Sequence, residues 1–566
     1  MRCDDSLICT RQALIISTET TRRYSGNVST GNLPLWMSAS ARCRYRNFSF
    51  SGSDVTSSMT AMSARCFLHS SPSVGVSVPS TSIQVKGISH VRRVSVKGHA
   101  IVLFIPRLIY FRKKICESLP IQIDWGVPIF NMPESAKREV YLDYAGATPM
   151  DAQVKLAMEP YWELEFGNPS ALYRKGRIAK DAVDAARKTI AGILHARESE
   201  IIFTAGSTEA DNLAMFGVIR AVKPILVANK LGGHVIISAI EHHVVLNSVE
   251  ALIKEGVARS LAPVDKDGIT DVAALEKLIR PDTILVSVMY ANNEIGTIQP
   301  LGEIAKVIRK VREERKKENN PLPIYFHSDG AQAAGALDLD VQKLGVDLFV
   351  ISSSKVYGPK GVAVLYIRRG TRIAPIYFGG GQEGNLRSGT ENVPVIVGFA
   401  KALGIAEDMR EKENARLAEL RDYFISRLTK EIPKTILNGS QRSRLPNNVN
   451  VTVLDIEGEA AVLYLDAHGI SISTGSACTS ITLDPSHVII ALGRPYEHAH
   501  GSLRFSLGRS TTREDIDYVM EVLPKVVARL RQISPVNMEI GQESISHPEA
   551  FAGQGAKVKV GGKTYK

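Results

Sequence analysis

Val346-Asp347-Leu348-Phe349-Val350-Ile351-Ser352-Ser353-Ser354-Lys355-Val356-Tyr357-Gly358-Pro359 reads as a buried strand that ends close to a lysine. Leu348 to Ile351 are apolar without alternation, as expected of a strand covered on both faces. Ser352, Ser353 and Ser354 leave room for a bulky partner, and Tyr357-Gly358-Pro359 sets a tight turn behind Lys355. A lysine at the carboxyl end of a parallel strand faces the ligand crevice of an α/β sheet. Most lysines are solvated surface charges, so the neighbours must decide what Lys355 does.

Similar short apolar runs lie on either side. Strands are expected over 200–204, 234–238, 283–289, 323–327 and 362–367, with helices over 209–222, 244–255 and 301–318 and a short one at 331–334. Strands alternating with helices imply an α/β fold with a parallel sheet covered on both faces. Further on, a long helical stretch over 393–428 leads to strands at 448–454, 470–473 and 502–506. A last helix opens on a capping box, Thr511-Thr512-Arg513-Glu514, and runs to about Ile533. This second region reads as a smaller α+β domain. The expected division is a large domain over 151–390, a small domain from 139–150 and 391–535, and a flexible tail over 536–566 rich in Gly and Lys.

Composition bounds the function. With 44% hydrophobic and 22% charged residues, the 566-residue chain is ordinary for a soluble protein. No run approaches the ~18 to 20 apolar residues that cross a bilayer. The net charge of +11 looks like a nucleic-acid signal, but residues 1–115 hold 12 Arg and 4 Lys against 3 Asp and 1 Glu. The rest is therefore near neutral and offers no basic stripe to phosphates, so no direct nucleic-acid binding is expected. Residues 1–131 form a non-globular leader, Arg- and Ser-rich and poor in acids. It reads as a transit peptide to the mitochondrial matrix or as non-native sequence upstream of a start at Met132, which would leave the protein cytoplasmic. Cys478 is the only cysteine after Cys116, so a disulfide framework or zinc site in the main body is excluded by count.

The chemistry gathers at expected strand ends. Asp329 closes Ile324-Tyr325-Phe326-His327-Ser328-Asp329. Its plainer role is helix capping; its sharper one is to keep a pyridinium nitrogen protonated. Pyridoxal phosphate (PLP) needs both a lysine able to form a Schiff base and an acid at the ring nitrogen. Thr204-Ala205-Gly206-Ser207-Thr208-Glu209 is a strand–turn–helix junction whose free N–H groups suit a phosphate, or which is plainly capped. His242 could stack on a planar ring or shuttle protons. Asn293 and Gln332 could bond a phenolic oxygen. Arg504, in an apolar strand, wants an anion: a substrate carboxylate or an internal salt bridge. Cys478 lies in Ser473-Thr474-Gly475-Ser476-Ala477-Cys478-Thr479-Ser480, a small, polar loop whose thiol would be reachable.

Eight motifs in order carry a family resemblance: Tyr141-Leu142-Asp143-Tyr144, Phe166-Gly167-Asn168-Pro169, Thr208-Glu209-Ala210-Asp211-Asn212, Glu241-His242, Asn292-Asn293-Glu294-Ile295-Gly296, Arg387-Ser388-Gly389-Thr390, Gly475-Ser476-Ala477-Cys478-Thr479-Ser480 and Arg504-Phe505-Ser506-Leu507-Gly508-Arg509. Over about 139–535 the sequence resembles the cysteine desulfurases of the IscS/NifS type, among the class V, fold-type I PLP enzymes. The resemblance implies a large domain with a mostly parallel seven-stranded sheet between helices. It implies that Lys355 carries PLP, Asp329 pairs with the pyridinium, Gln332 meets the phenolic oxygen and His242 stacks on the ring. Ser207, Thr208, Ser352 and Ser354 would surround the phosphate. Thr390 would reach the phosphate of a neighbouring subunit, which implies a homodimer. Asn168 and Arg504 would take the substrate carboxylate. Cys478 would receive the sulfur, and could transiently ligate an iron–sulfur cluster; no intrinsic metal is implied.

The implied reaction converts L-cysteine to L-alanine. Freed Lys355 removes the α-proton, and the Cys478 thiolate takes the sulfur as a persulfide. An iron–sulfur scaffold protein or another acceptor, as in tRNA thiolation, would receive it. The family usually carries a histidine where Ser354 stands; serine can donate a hydrogen bond but adds no positive charge. The alternatives are another class V reaction (selenocysteine lysis or aminotransfer), which needs no cysteine loop, and a catalytically silent scaffold.

Overall fold

A computed structural model describes residues 138–474 and 485–534, together with 537, 538, 540, 558–560 and 563–565. The leader over 1–131, most of the tail and Cys478 lie outside the described residues.

The strands are β1 (Val140–Tyr141), β2 (Ile201–Thr204), β3 (His234–Ser238), β4 (Ala258–Ala262), β5 (Thr283–Ser287), β6 (Tyr325–Asp329), β7 (Leu348–Ser352), β8 (Ala363–Ile367), β9 (Thr435–Leu437), β10 (Asn448–Val453), β11 (Ile470–Ser471) and β12 (Ser502–Ser506). The helices that matter here are α1 (Arg174–Leu194), α2 (Ser207–Ala228), α3 (His243–Lys254), α4 (Leu301–Lys317), α5 (Val393–Glu431), α6 (His487–Ala491) and α7 (Arg513–Ile533).

Seven strands form one sheet in the order β2-β8-β7-β6-β5-β3-β4. Pairs β3–β4, β3–β5, β5–β6 and β6–β7 are parallel, whereas β8 runs antiparallel to both β7 and β2. The sheet is thus mostly parallel, as expected. Only ten residues separate β7 from β8, which is too few for a helical crossover, so the chain doubles back.

The unbroken apolar runs have a physical cause. Side chains alternate faces along a strand. Phe349 and Ile351 of β7 pack in one core with α1, α4 and the first half of α5, while Leu348 and Val350 pack in the other with α2 and α3. With both faces covered, Leu348 to Ile351 all meet apolar neighbours. A separate cluster joins the antiparallel sheet β12-β10-β9 to α7 and the second half of α5, with Phe424 and Phe505 edge to face, their ring centroids 4.9 Å apart. Helix α5, 39 residues long, therefore enters two cores in turn.

Three readings of the sequence need correction. Residues 331–334 form turns rather than a helix. The capping box of α7 is Thr512 with Asp515, one residue later than expected, and the Thr511 hydroxyl accepts from Gly508 N–H instead. Strand β4 was not foreseen, because Arg259 and Ser260 interrupt its apolar character at the sheet edge.

Candidate active site

The carboxyl ends of the parallel strands converge. Asp329 ends β6 and pairs in register with Val350 of β7; Lys355 follows three residues after β7 ends. Gly330 turns the chain off β6 across the Phe349 ring, where a Cβ would lie 2.2 Å from a ring carbon. His242 follows β3, Asn293 follows β5, and Ser207 and Thr208 open α2 after β2. These residues, with Gln332, Ser354 and Arg504, line one cavity of about 280 Å³.

Lys355 Nζ donates to the carbonyls of Ala145 and Gly146, 2.7 Å each. Gln332 Nε2 donates to the same Ala145 carbonyl at 3.0 Å. Asp329 is buried, and its Oδ1 accepts from Ala331 N–H at 2.8 Å, which fixes a turn rather than capping a helix. Burial pushes its carboxyl up, while His242 and Lys355 pull it down. A cationic ring nitrogen beside it would favour the ionised form further.

His242 Nδ1 accepts from Val244 N–H at 3.1 Å, which caps α3. Burial holds this imidazole below its ordinary value. The neutral ring then carries its proton on Nε2, which suits stacking or donation and leaves no free lone pair for abstracting a proton.

The N-terminus of α2 has Gly206 at its cap and no side-chain cap bond. Its amides, together with the Ser207 and Thr208 hydroxyls on the cavity wall, suit a dianion. Ser352 is buried behind this wall; its hydroxyl meets that of Ser354 at 3.2 Å. The residues present therefore fit PLP: an amine, a buried acid lining the same cavity, and a helix end for phosphate.

Arg504 is buried on β12, and the internal salt bridge is present. It lines the cavity, and its Nη2 donates to Asp143 Oδ1 at 2.8 Å. Asn168 and Thr390 are exposed and do not line this cavity. Asn168 Oδ1 accepts from Ser170 N–H.

The structure adds residues that sequence reasoning assigned no role. Asp143, Glu241, Glu294 and His487 also line the cavity. His487 donates through Nε2 to the Glu241 carbonyl at 2.9 Å, and burial lowers its imidazole to about 4. Glu294 is buried; burial raises its carboxyl to about 7, against the opposing pull of the Ser486 hydroxyl and Arg504. Of these, Asp143, Glu241 and Glu294 stood inside recognised motifs, so their positions were flagged; His487 gave no such signal.

Glu294 makes a testable prediction. The unfolded chain loses this proton near the ordinary value of 4.5, but the folded chain keeps it to about 7. Between those values the folded state binds more protons, so the stability this carboxyl contributes is full below about 4.5, falls as pH rises towards 7 and is lost above it. Glu294→Gln should reduce the loss of stability between about pH 5 and about pH 8 by roughly 2 to 3 kcal/mol, measured by denaturant unfolding at both values.

An amine just past a strand end, a buried carboxylate in the same cavity and a helix terminus for phosphate are the parts of a fold-type I PLP-dependent enzyme. The Aminotransferase class-V family matches residues 140–519. Cysteine desulfurase IscS of Dictyoglomus turgidum is 47% identical over 403 residues, covering 71% of this chain and 98% of that protein. Cysteine desulfurase IscS of Methanosarcina thermophila is 49% identical over 399 residues, covering 70% and 94%. A solved NifS-like protein aligns with a TM-score of 0.63 at 33% identity, covering 69% of this chain and all of that one. The NifS-like protein of Rickettsia africae aligns with a TM-score of 0.60 at 30% identity, covering 69% and 100%. The chain belongs to the class V aminotransferase family, in its branch of cysteine desulfurases.

Proposed function

We propose that this protein is a cysteine desulfurase that converts L-cysteine to L-alanine and holds the sulfur as a persulfide on Cys478. The sulfur is destined for iron–sulfur cluster assembly or tRNA thiolation. The observation that carries this reading is the single cavity lined by Lys355, buried Asp329 and buried Arg504.

PLP, when bound, supplies the electron sink for the substrate's α- and β-carbons. Lys355 would hold it, Asp329 would face its ring nitrogen, and Ser207, Thr208 and Ser354 would meet its phosphate. Ser352 supports Ser354 from behind. Gln332 and Asn293 would meet the phenolic oxygen, and His242 would cover the ring. Arg504 would take the substrate carboxylate by its planar fork. Once substrate occupies the site, the Lys355 amine would remove the α-proton.

The Cys478 thiolate then attacks the substrate sulfur. A sulfur–sulfur bond forms and the substrate's carbon–sulfur bond breaks. Its electron pair stays on the β-carbon, which takes a proton and becomes the alanine methyl, and the protonated Lys355 amine would return a proton to the α-carbon. Cys478 lies outside the described residues, but both flanks of its stretch are tied to the cavity. Ser473 pairs through its backbone with Arg504, and Ser486 bonds Glu294.

A homodimer completes the proposal. Asn168 lies among exposed Phe166, Leu172 and Tyr173, and Thr390 follows exposed Tyr377 and Phe378. Apolar side chains of that size left open mark an interface. Across it, Asn168 and Thr390 would serve the neighbouring subunit's site. The division into a large domain over 151–390 and a small domain from 139–150 and 391–535 belongs to the same proposal.

The test is mass spectrometry of the PLP-loaded protein after addition of L-cysteine. One extra sulfur on Cys478, with alanine released in equal amount, is expected. Alanine formed with Cys478 unmodified would place the chain with the class V lyases that need no cysteine.

A further inference from the structure

We propose that Asp143 is an internal competitor for the carboxylate-binding fork of Arg504, and so sets how tightly the enzyme holds its amino-acid substrate. The inference rests on the reading of Arg504 given above and adds a residue to it.

The geometry is specific. A guanidinium binds a carboxylate best through two parallel N–H bonds. The edge made by Nε and Nη2 of Arg504 is one such pair. Nη2 already donates to Asp143 Oδ1 at 2.8 Å, whereas Nε is buried and meets no acceptor among the described residues. Nη1 is taken by the Asn293 carbonyl at 3.1 Å. The protein thus fills half of the fork with a single carboxylate oxygen and leaves the other half unmatched. An incoming carboxylate can satisfy the orphaned Nε at once, but it gains the second bond only by displacing Asp143 from Nη2.

Asp143 is placed to give way. Its side chain is 26% exposed while that of Arg504 is 5% exposed, so the released carboxylate has water to turn to and the guanidinium does not. Its other oxygen, Oδ2, rests against Gly146, where a Cβ would lie only 2.3 Å away. Its backbone is held independently: the Asp143 carbonyl accepts from Gly146 N–H at 3.0 Å and from Ala147 N–H at 3.2 Å. The side chain can leave Arg504 without undoing the turn that carries the carbonyl acceptors of Lys355.

The arrangement has two consequences. Without substrate, Asp143 is the carboxylate hydrogen-bonded to this buried cation and compensates its charge. With substrate, the cost of removing Asp143 is charged against binding, so the affinity is weaker than a bare fork would give.

The test uses the PLP-loaded protein, L-alanine as a ligand with no sulfur to transfer and L-alaninamide as its counterpart without a carboxylate. Binding is measured by titration calorimetry on wild type, Asp143→Asn and Asp143→Ala, with thermal melts to establish folding. Both variants should bind L-alanine about tenfold more tightly, the effect of one charge-assisted bond, and L-alaninamide as wild type does. In turnover the same variants should show a lower KM for L-cysteine with a smaller change in kcat. A folded variant whose L-alanine affinity is unchanged or weaker overturns the proposal. Wild type that binds L-alanine no better than L-alaninamide would instead overturn the role given to Arg504, whatever Asp143 does.

Discussion

Lys355→Ala should lower alanine formation from L-cysteine by on the order of 10⁴-fold or more, with the fold intact. Two functions would be lost together: the covalent hold on PLP and the base that takes the α-proton, the second alone worth about 10² to 10⁴. The structure argues against a large cost in stability. Lys355 is half-buried, and the bonds it makes to the Ala145 and Gly146 carbonyls leave that turn its own backbone bonds. Lys355→Arg sharpens the prediction, since it keeps the positive charge and the donors but forms no imine. It should be as inactive as the alanine variant, and both should lose the visible absorbance of the lysine-bound cofactor. An arginine variant with more than a hundredth of wild-type activity would mean that charge, rather than the imine, is what position 355 supplies. The silent-scaffold reading fails at the same point, because it predicts no absorbance in wild type to be lost.

Most of this site was legible in the sequence because strand ends are legible. Where both faces of a sheet are covered, a strand is a short apolar run with an abrupt polar end, and Asp329 and Lys355 stand at or just past such ends. The chain therefore announces which residues reach the crevice. What it does not announce is contact between distant segments. Arg504 was expected to have an anionic partner, yet nothing in the sequence selects Asp143, 361 residues away. The same holds for Ser486 against Glu294 and for His487 against the Glu241 carbonyl. Local errors had local causes. The segment after Gly330 has helix-forming alanines, but Asp329 fixes a turn there through Ala331 N–H, and the next residues follow that turn. At the start of α7 two threonines stand side by side, and only the tertiary contact of Thr511 with Gly508 decides which of them caps the helix.

Cys478→Ser should abolish net sulfur transfer from L-cysteine while leaving substrate binding in place. The argument is one of chemical competence. The substrate sulfur must leave as a bond to another atom able to accept it, and a serine hydroxyl, uncharged near neutral pH, is a poor nucleophile toward sulfur. A thiol of ordinary pKa ~8.5 is already a few per cent thiolate at neutral pH. No other cysteine follows Cys116, so no neighbour in the main body can substitute. Ser473 and Ser486 tie the two flanks of this stretch to Arg504 and Glu294 on the cavity wall, and serine at 478 alters neither tie. The variant should thus keep wild-type affinity for L-alanine and the cofactor's spectral response to L-cysteine, yet release no alanine above the background of the Lys355→Ala protein. Loss of both binding and turnover would point to a structural role for the thiol. Retained turnover would mean that the sulfur leaves by a route that does not use Cys478, and the chain's place among the class V enzymes would then lie with the lyases rather than the desulfurases.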